Sequence, residues 1–190
     1  MGALDQPRQD TRYRISTQQL EKMLAAGVIG EHERIELADG ELRTMAPNGD
    51  LHAFVVQMLM AALYPLVKDP WRLRIQQPLV LTEHDKVQPD VCVLRPGGTS
   101  DRRRSPVAAD VLLVIEVATD MRYDVNKIPR YAKALVPEVW IANLEAEQLC
   151  VYRNPAGDGF SDIQKLSAPA RVSAALMPEF ELDLAQTFGS

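Results

Sequence analysis

Val111-Leu112-Leu113-Val114-Ile115-Glu116 sets five apolar residues in a row and closes them with a carboxylate. An unbroken run of valine, leucine and isoleucine without polar alternation suits a strand covered on both faces, as in the centre of a layered sheet. The acid that follows has a different requirement. At the rim of a buried strand a carboxylate loses its hydration, and a cation, a metal ion or hydrogen-bond donors must replace it. Glu116 is therefore either half of a structural salt bridge or part of a site.

Upstream, Val91-Cys92-Val93-Leu94 reads as a second apolar strand, and Pro89-Asp90 stands immediately before it. Alone, Asp90 suits a turn or a cap. If the two strands are neighbours, Asp90 and Glu116 can converge on one divalent cation, and their hard oxygen atoms favour Mg²⁺, with Mn²⁺ as the alternative. Downstream, Asp124, Lys127 and Tyr131 recur at intervals of three and four, one face of a helix expected over 124–135. Lys127 lies 11 residues beyond Glu116, so an intervening loop can return it toward the acids. A surface pair of Asp124 with Lys127 would give the same spacing. Two acids on a metal, with a lysine to stabilise charge on a phosphate or to orient water, meet the chemical needs of phosphodiester hydrolysis.

The surrounding chain supplies a scaffold. Ser16 or Thr17 can cap a short helix over 18–25 that stops at Gly27. Over 34–45 the period changes to two, and Asp39-Gly40 provides the reversal of a hairpin. Asn48 or Asp50 can cap a long helix from Leu51 to about Val67, apolar at Leu51, Phe54, Val55, Met58, Leu59, Ala62, Leu63 and Leu66 and stopped near Asp69-Pro70. His52 sits in its first turn. Strands are expected at 71–76, 79–82, 139–142 and 149–152, and Phe180, Leu182 and Leu184 suggest an edge or final strand. Helices among short apolar strands imply an α/β or α+β layered structure with a single sheet.

The chain has 190 residues, a formal charge of −5 and 46% hydrophobic residues, ordinary values for a globular protein. A chain of this size buries roughly 70% of its unfolded surface, so neither a disulfide nor a structural metal is needed to hold it together. The negative balance argues against a strong nonspecific binder of polyanions but permits a local site. Cys92 and Cys150 lie in strand interiors and read as buried thiols, and no cluster of histidines and cysteines points to zinc. Trp71 and Trp140 are assigned to packing. Arg102, Arg103 and Arg104, in a loop opened by Pro96-Gly97-Gly98, are candidate contacts to nucleic-acid phosphates, with a solvated loop face as the alternative. Residues 1–12 read as a flexible lead without the apolar core of a signal peptide, and no run is long enough to span a membrane, so a cytoplasmic address is expected.

Pro89-Asp90, Val114-Ile115-Glu116-Val117, the Tyr123-Asp124, Lys127 and Tyr131-Ala132 set, and Val136-Pro137-Glu138-Val139-Trp140 together resemble the putative restriction endonuclease domain family of the PD-(D/E)XK nuclease superfamily. Ile35-Glu36-Leu37-Ala38-Asp39-Gly40-Glu41 and His52 are similar to that family's amino-terminal pattern. The resemblance covers roughly 13–185. It implies a restriction-endonuclease-like fold in which a mixed central sheet is flanked by helices, here with an amino-terminal helix and hairpin, and a single nuclease-like domain over 13–190. It also implies that Asp90 and Glu116 are the metal ligands. Ala118 stands where the superfamily's lysine is usual, and Lys127 looks like its displaced replacement. Glu36 resembles an accessory acid, with Glu41, His52, Asp124 and Tyr131 as further accessory candidates. The resemblance thus implies a metal-dependent DNA endonuclease, and cutting both strands suggests a homodimer. The alternative is a catalytically inactive nuclease-like module that binds protein.

Overall fold

The computed structural model describes residues 12–30, 32–45, 47, 49–69, 72–98, 103–119, 121 and 125–188. Helix α1 (Thr17–Ala25) begins where expected, because the Ser16 hydroxyl accepts the Gln19 N–H while the Gln19 side chain returns to the Ser16 N–H. Strands β1 (Ile35–Ala38) and β2 (Glu41–Thr44) form the anticipated hairpin, with Asp39 at φ 51° and Gly40 at φ 78° in the turn.

Helix α2 (Asp50–Leu63) is shorter than its apolar pattern suggests. It is capped by Tyr64, which keeps helical backbone, and Pro65 beyond it has no N–H with which to continue the helix ladder. Its amino-terminal cap is Gly49, and neither Asp50 nor any other side chain closes that end; Asn48 lies outside the described residues. Leu51 and Phe54 face outward, because Val55, Val56, Leu59 and Leu63 already fill the face that meets the sheet.

Among the described residues the expected single sheet is replaced by three. Strands β3 (Leu73–Ile75), β6 (Val91–Leu94), β7 (Val111–Ala118), β8 (Glu138–Asn143), β9 (Gln148–Ala156) and β10 (Gly159–Ser167) make the central one, ordered β10-β9-β8-β7-β6-β3. Among the described residues, β7 and β8 are the only neighbours in this sheet that run parallel. A second sheet, β2-β1-β5-β4, adds β4 (Leu79–Thr82) and β5 (Asp85–Val87) to the hairpin, and β11 (Arg171–Ala174) pairs with β12 (Met177–Asp183). The two larger sheets separate where Gln88-Pro89-Asp90 links β5 to β6, because proline has no N–H with which to continue a ladder.

β7 is central and covered on both sides, as its apolar run requires. Leu113, Ile115 and Val117 pack with the buried face of α2, Trp140 and Phe180. Val111, Val114 and Ala118 pack with Ile128, Tyr131 and Ala132 of helix α3 (Ile128–Lys133) on the other side. A last helix, α4 (Leu184–Phe188), closes the chain against α2. Trp140 stacks on Phe180 with ring centroids 5.4 Å apart, the packing role assigned to it; Trp71 lies outside the described residues. Cys92 and Cys150 are buried free thiols, and burial pushes the Cys92 thiol up to about 12. Among the described residues no helix is long and apolar enough to cross a membrane.

Candidate active site

Glu116 does not follow its strand but belongs to it, since β7 continues through Val117 and Ala118. Its side chain leaves the sheet on the same face as Val114 and Ala118, toward α3. β6 runs antiparallel to β7 with Val91 opposite Ile115, which sets Asp90 opposite Glu116 where the ladder ends. Asp90 Oδ2 accepts the Val117 N–H at 2.9 Å, and the Asp90 N–H reaches Glu116 Oε2 at 3.4 Å. The two expected acids are therefore neighbours.

Lys127 joins them from the other side. It is the amino-terminal cap residue of α3 rather than part of a longer helix, because Pro129 occupies the first turn and favours a helix start there. Its Nζ lies 3.2 Å from Glu116 Oε1 and 3.2 Å from Glu36 Oε1. Tyr131, one turn further along, donates its hydroxyl to Glu116 Oε1 at 2.5 Å. Glu36 also accepts the Gln88 N–H at 2.8 Å, so the crossover that delivers Asp90 anchors this acid too. Four segments distant in sequence thus meet at one place. Exposure is only 1% for Glu36, 2% for Glu116, 2% for Lys127 and 8% for Asp90, so these charges interact in a weakly screened interior.

His52 is buried beside the cluster, its Nε2 3.0 Å from Asp90 Oδ2, while Gln76 Nε2 donates to Oδ1 at 3.1 Å. Burial by itself raises the Asp90 pKa. The hydrogen bond and charge of His52, with the Val117 N–H and the Gln76 amide, outweigh that and hold the carboxyl below the ordinary aspartate value. A lowered folded-state pKa contributes stability above the unfolded value, near about 3.9, that is lost as pH falls through the folded one. Asp90→Asn is therefore expected to flatten the acid limb of a thermal-midpoint profile below about pH 4, where the native protein declines more steeply. Tyr131 shifts upward, first through burial and then through the charge and hydrogen bond of Glu116, so it remains a proton donor to that acid.

Other candidates fall elsewhere. Glu41 stays at the surface, 2.5 Å from an Arg12 guanidinium nitrogen and 3.8 Å from one of Arg43, outside the buried cluster. Asp124 and Arg102 lie outside the described residues. Arg103 and Arg104 are exposed, and Arg104 approaches Asp110 at 4.0 Å. Gln76 and Gln88 went unrecognised in the sequence, although both flank strand ends beside named acids.

The oxygen donors of Asp90 and Glu116 suit a hard divalent cation by type. Among the described residues, however, no group of three or more His, Cys, Asp and Glu side chains is gathered to hold a metal ion. The carboxylate oxygens bond instead to Lys127, Tyr131, His52, Gln76 and backbone N–H groups.

A mixed sheet flanked by α2 and α3, with acids at the end of adjacent central strands, is consistent with a restriction-endonuclease-like architecture, and the chain is a member of the PD-(D/E)XK-like nuclease superfamily. Residues 17–185 match the Uma2 family, described as "Putative restriction endonuclease", and the chain belongs to that family. Its fold is similar to the crystal structure of "a putative nuclease belonging to DUF820" from Anabaena variabilis ATCC 29413. The TM-score is 0.72 at 16% identity, over 92% of this chain and 98% of that one. None of the curated proteins matches the chain.

Proposed function

We propose that the protein is a metal-dependent endonuclease that hydrolyses phosphodiester bonds of DNA. The observation that carries this reading is the convergence of Asp90, Glu116, Lys127 and Glu36 from four separate segments. A fold-stabilising salt bridge needs only two partners, whereas here charged groups from four segments are brought together in one buried place.

Asp90 and Glu116 are the residues that would hold Mg²⁺, or Mn²⁺ in its place. The ion would supply Lewis-acid polarisation of a nonbridging phosphate oxygen. The protein's own groups do the positioning. His52 and Gln76 fix the two oxygens of Asp90. Tyr131 orients Glu116, and Glu36 holds the Lys127 amine within 3.2 Å of Glu116, from where it can donate to the charge that develops on the phosphate. Cleavage of both strands requires two such centres, which a second copy of the chain would provide.

A catalytically inactive module that binds protein is the second reading. It is favoured by the burial of the cluster and by the protein donors that already engage its carboxylates. DNA cleavage assays with Mg²⁺, Mn²⁺ or chelator separate the two. The nuclease reading expects metal-dependent cleavage abolished by Asp90→Ala and by Glu116→Ala in folded protein. Unchanged cleavage in those variants overturns the site, and absence of cleavage with either metal overturns the activity.

A further inference from the structure

We infer that the cavity between residues 12–14 and the first hairpin is a second phosphate site, which takes a backbone phosphate of the DNA strand flanking the one that is cut. This rests on the nuclease reading above. Among the described residues the cavity, of about 290 Å³, is lined by Arg12, Tyr13, Arg14, Asp39, Glu41 and Arg43, three guanidiniums with two carboxylates. The excess is positive in a chain whose overall charge is −5.

The hairpin register links this cavity to the acid cluster. Ile35, Leu37 and Leu42 turn toward α1, where they pack with Leu20, Met23 and Ile29. Glu36 stands directly opposite Arg43, and Ala38 opposite Glu41, so these four side chains leave the other face together. Arg43 is thus the immediate cross-strand neighbour of the acid that holds Lys127, about 5 Å away between backbones. A strand laid over the cluster meets this row of arginines next.

The site is also prepared before any ligand arrives. The Ile15 N–H bonds to the Gly40 carbonyl at 2.9 Å, and the Gly40 N–H to that of His84 at 2.8 Å. A methyl group on Gly40 would fall 2.7 Å from Arg14 Cβ and 2.9 Å from its Cα, so the glycine lets the segment lie flat on the turn. Arg14 is therefore presented from fixed backbone, which lowers the ordering cost of binding. Glu41 lies between Arg12 at 2.5 Å and Arg43 at 3.8 Å. Two guanidiniums shared by one carboxylate is an arrangement that a phosphate, with more acceptor oxygens, can take over.

The test is binding of the full chain to a short labelled DNA duplex in chelator, across a salt series, for the native protein, Arg14→Gln/Arg43→Gln and Glu116→Gln, each with its thermal midpoint. Loss of this one phosphate contact is expected to make the plot of log affinity against log salt shallower by about 1, with no fall in midpoint. Glu116→Gln keeps the native slope while it loses metal-dependent cleavage. An unchanged slope in the double arginine variant overturns the phosphate site and leaves the nuclease reading intact. A shallower slope without cleavage by native protein overturns the nuclease reading and retains the strand contact. Absence of DNA binding by the native chain overturns both. In a separate arm, inorganic phosphate that raises the native midpoint without any slope difference between the proteins assigns the cavity to free phosphate and overturns the DNA assignment.

Discussion

Lys127→Met is expected to destabilise the fold by about 3–5 kcal/mol, the range for breaking a buried ion pair by removing one partner. The Nζ bridges Glu36 and Glu116 at 3.2 Å each, inside a pocket where neither acid is more than 2% exposed. Methionine fills much of the same space but removes the amine that bridges the two buried carboxylates. Added Mg²⁺ should recover part of the loss in the variant, because a divalent ion can supply the positive charge that the amine no longer does. Urea denaturation with and without Mg²⁺ measures both effects. A loss below about 1 kcal/mol would show that Lys127 does not compensate these acids.

Glu116→Gln separates chemistry from folding more cleanly. The amide oxygen can still accept from Tyr131 and Lys127, and Glu36 still pairs with the lysine, so stability should fall by only about 1–3 kcal/mol. The negative charge disappears from the position assigned to the ion. Cleavage is expected to drop by about 10²- to 10³-fold, the scale for removing one preorganised electrostatic partner from an active site. Plasmid nicking under single-turnover conditions, at matched folded fraction, reads this directly. Retention of more than about a tenth of the native rate would exclude Glu116 as a ligand to a catalytic ion.

What could be read from the sequence follows the range of the interactions involved. The Ser16 cap with Gln19 and the Asp39-Gly40 reversal depend on residues within a few positions, and both fold as their local chemistry dictates. The centrality of β7 was also legible, because an unbroken apolar run leaves few alternatives. β5 was not, since Asp85 and Lys86 interrupt any apolar pattern there. Their placement in a strand depends on distant groups as well as local ones: Asp85 accepts the Thr82 hydroxyl at 2.8 Å but also the Asp39 N–H at 3.0 Å, and Lys86 pairs with Glu21. β10 was hidden for a different reason. It is an edge strand with much of its surface in solvent, so it lacks the clear apolar pattern of the interior.

The site divides along the same line. Asp90 and Glu116 stood out as acids beside buried strands, and the structure makes them neighbours through the β6–β7 register. The grip of Gln76 on Asp90, and of the Gln88 N–H on Glu36, depends on how four strands from two sheets meet, which no local pattern encodes. Glu41 stood as a less direct accessory than Glu36, and the β1–β2 register sets it opposite Ala38 beside the turn, among arginines.

A crystal soaked in Mn²⁺ with a short DNA duplex, examined for anomalous scattering, tests the proposed site most directly. The account predicts a peak within coordination distance of both Asp90 and Glu116, with Lys127 turned toward the phosphate. Occupied Mn²⁺ sites elsewhere, with these carboxylates still bonded to Lys127 and Tyr131, would contradict it.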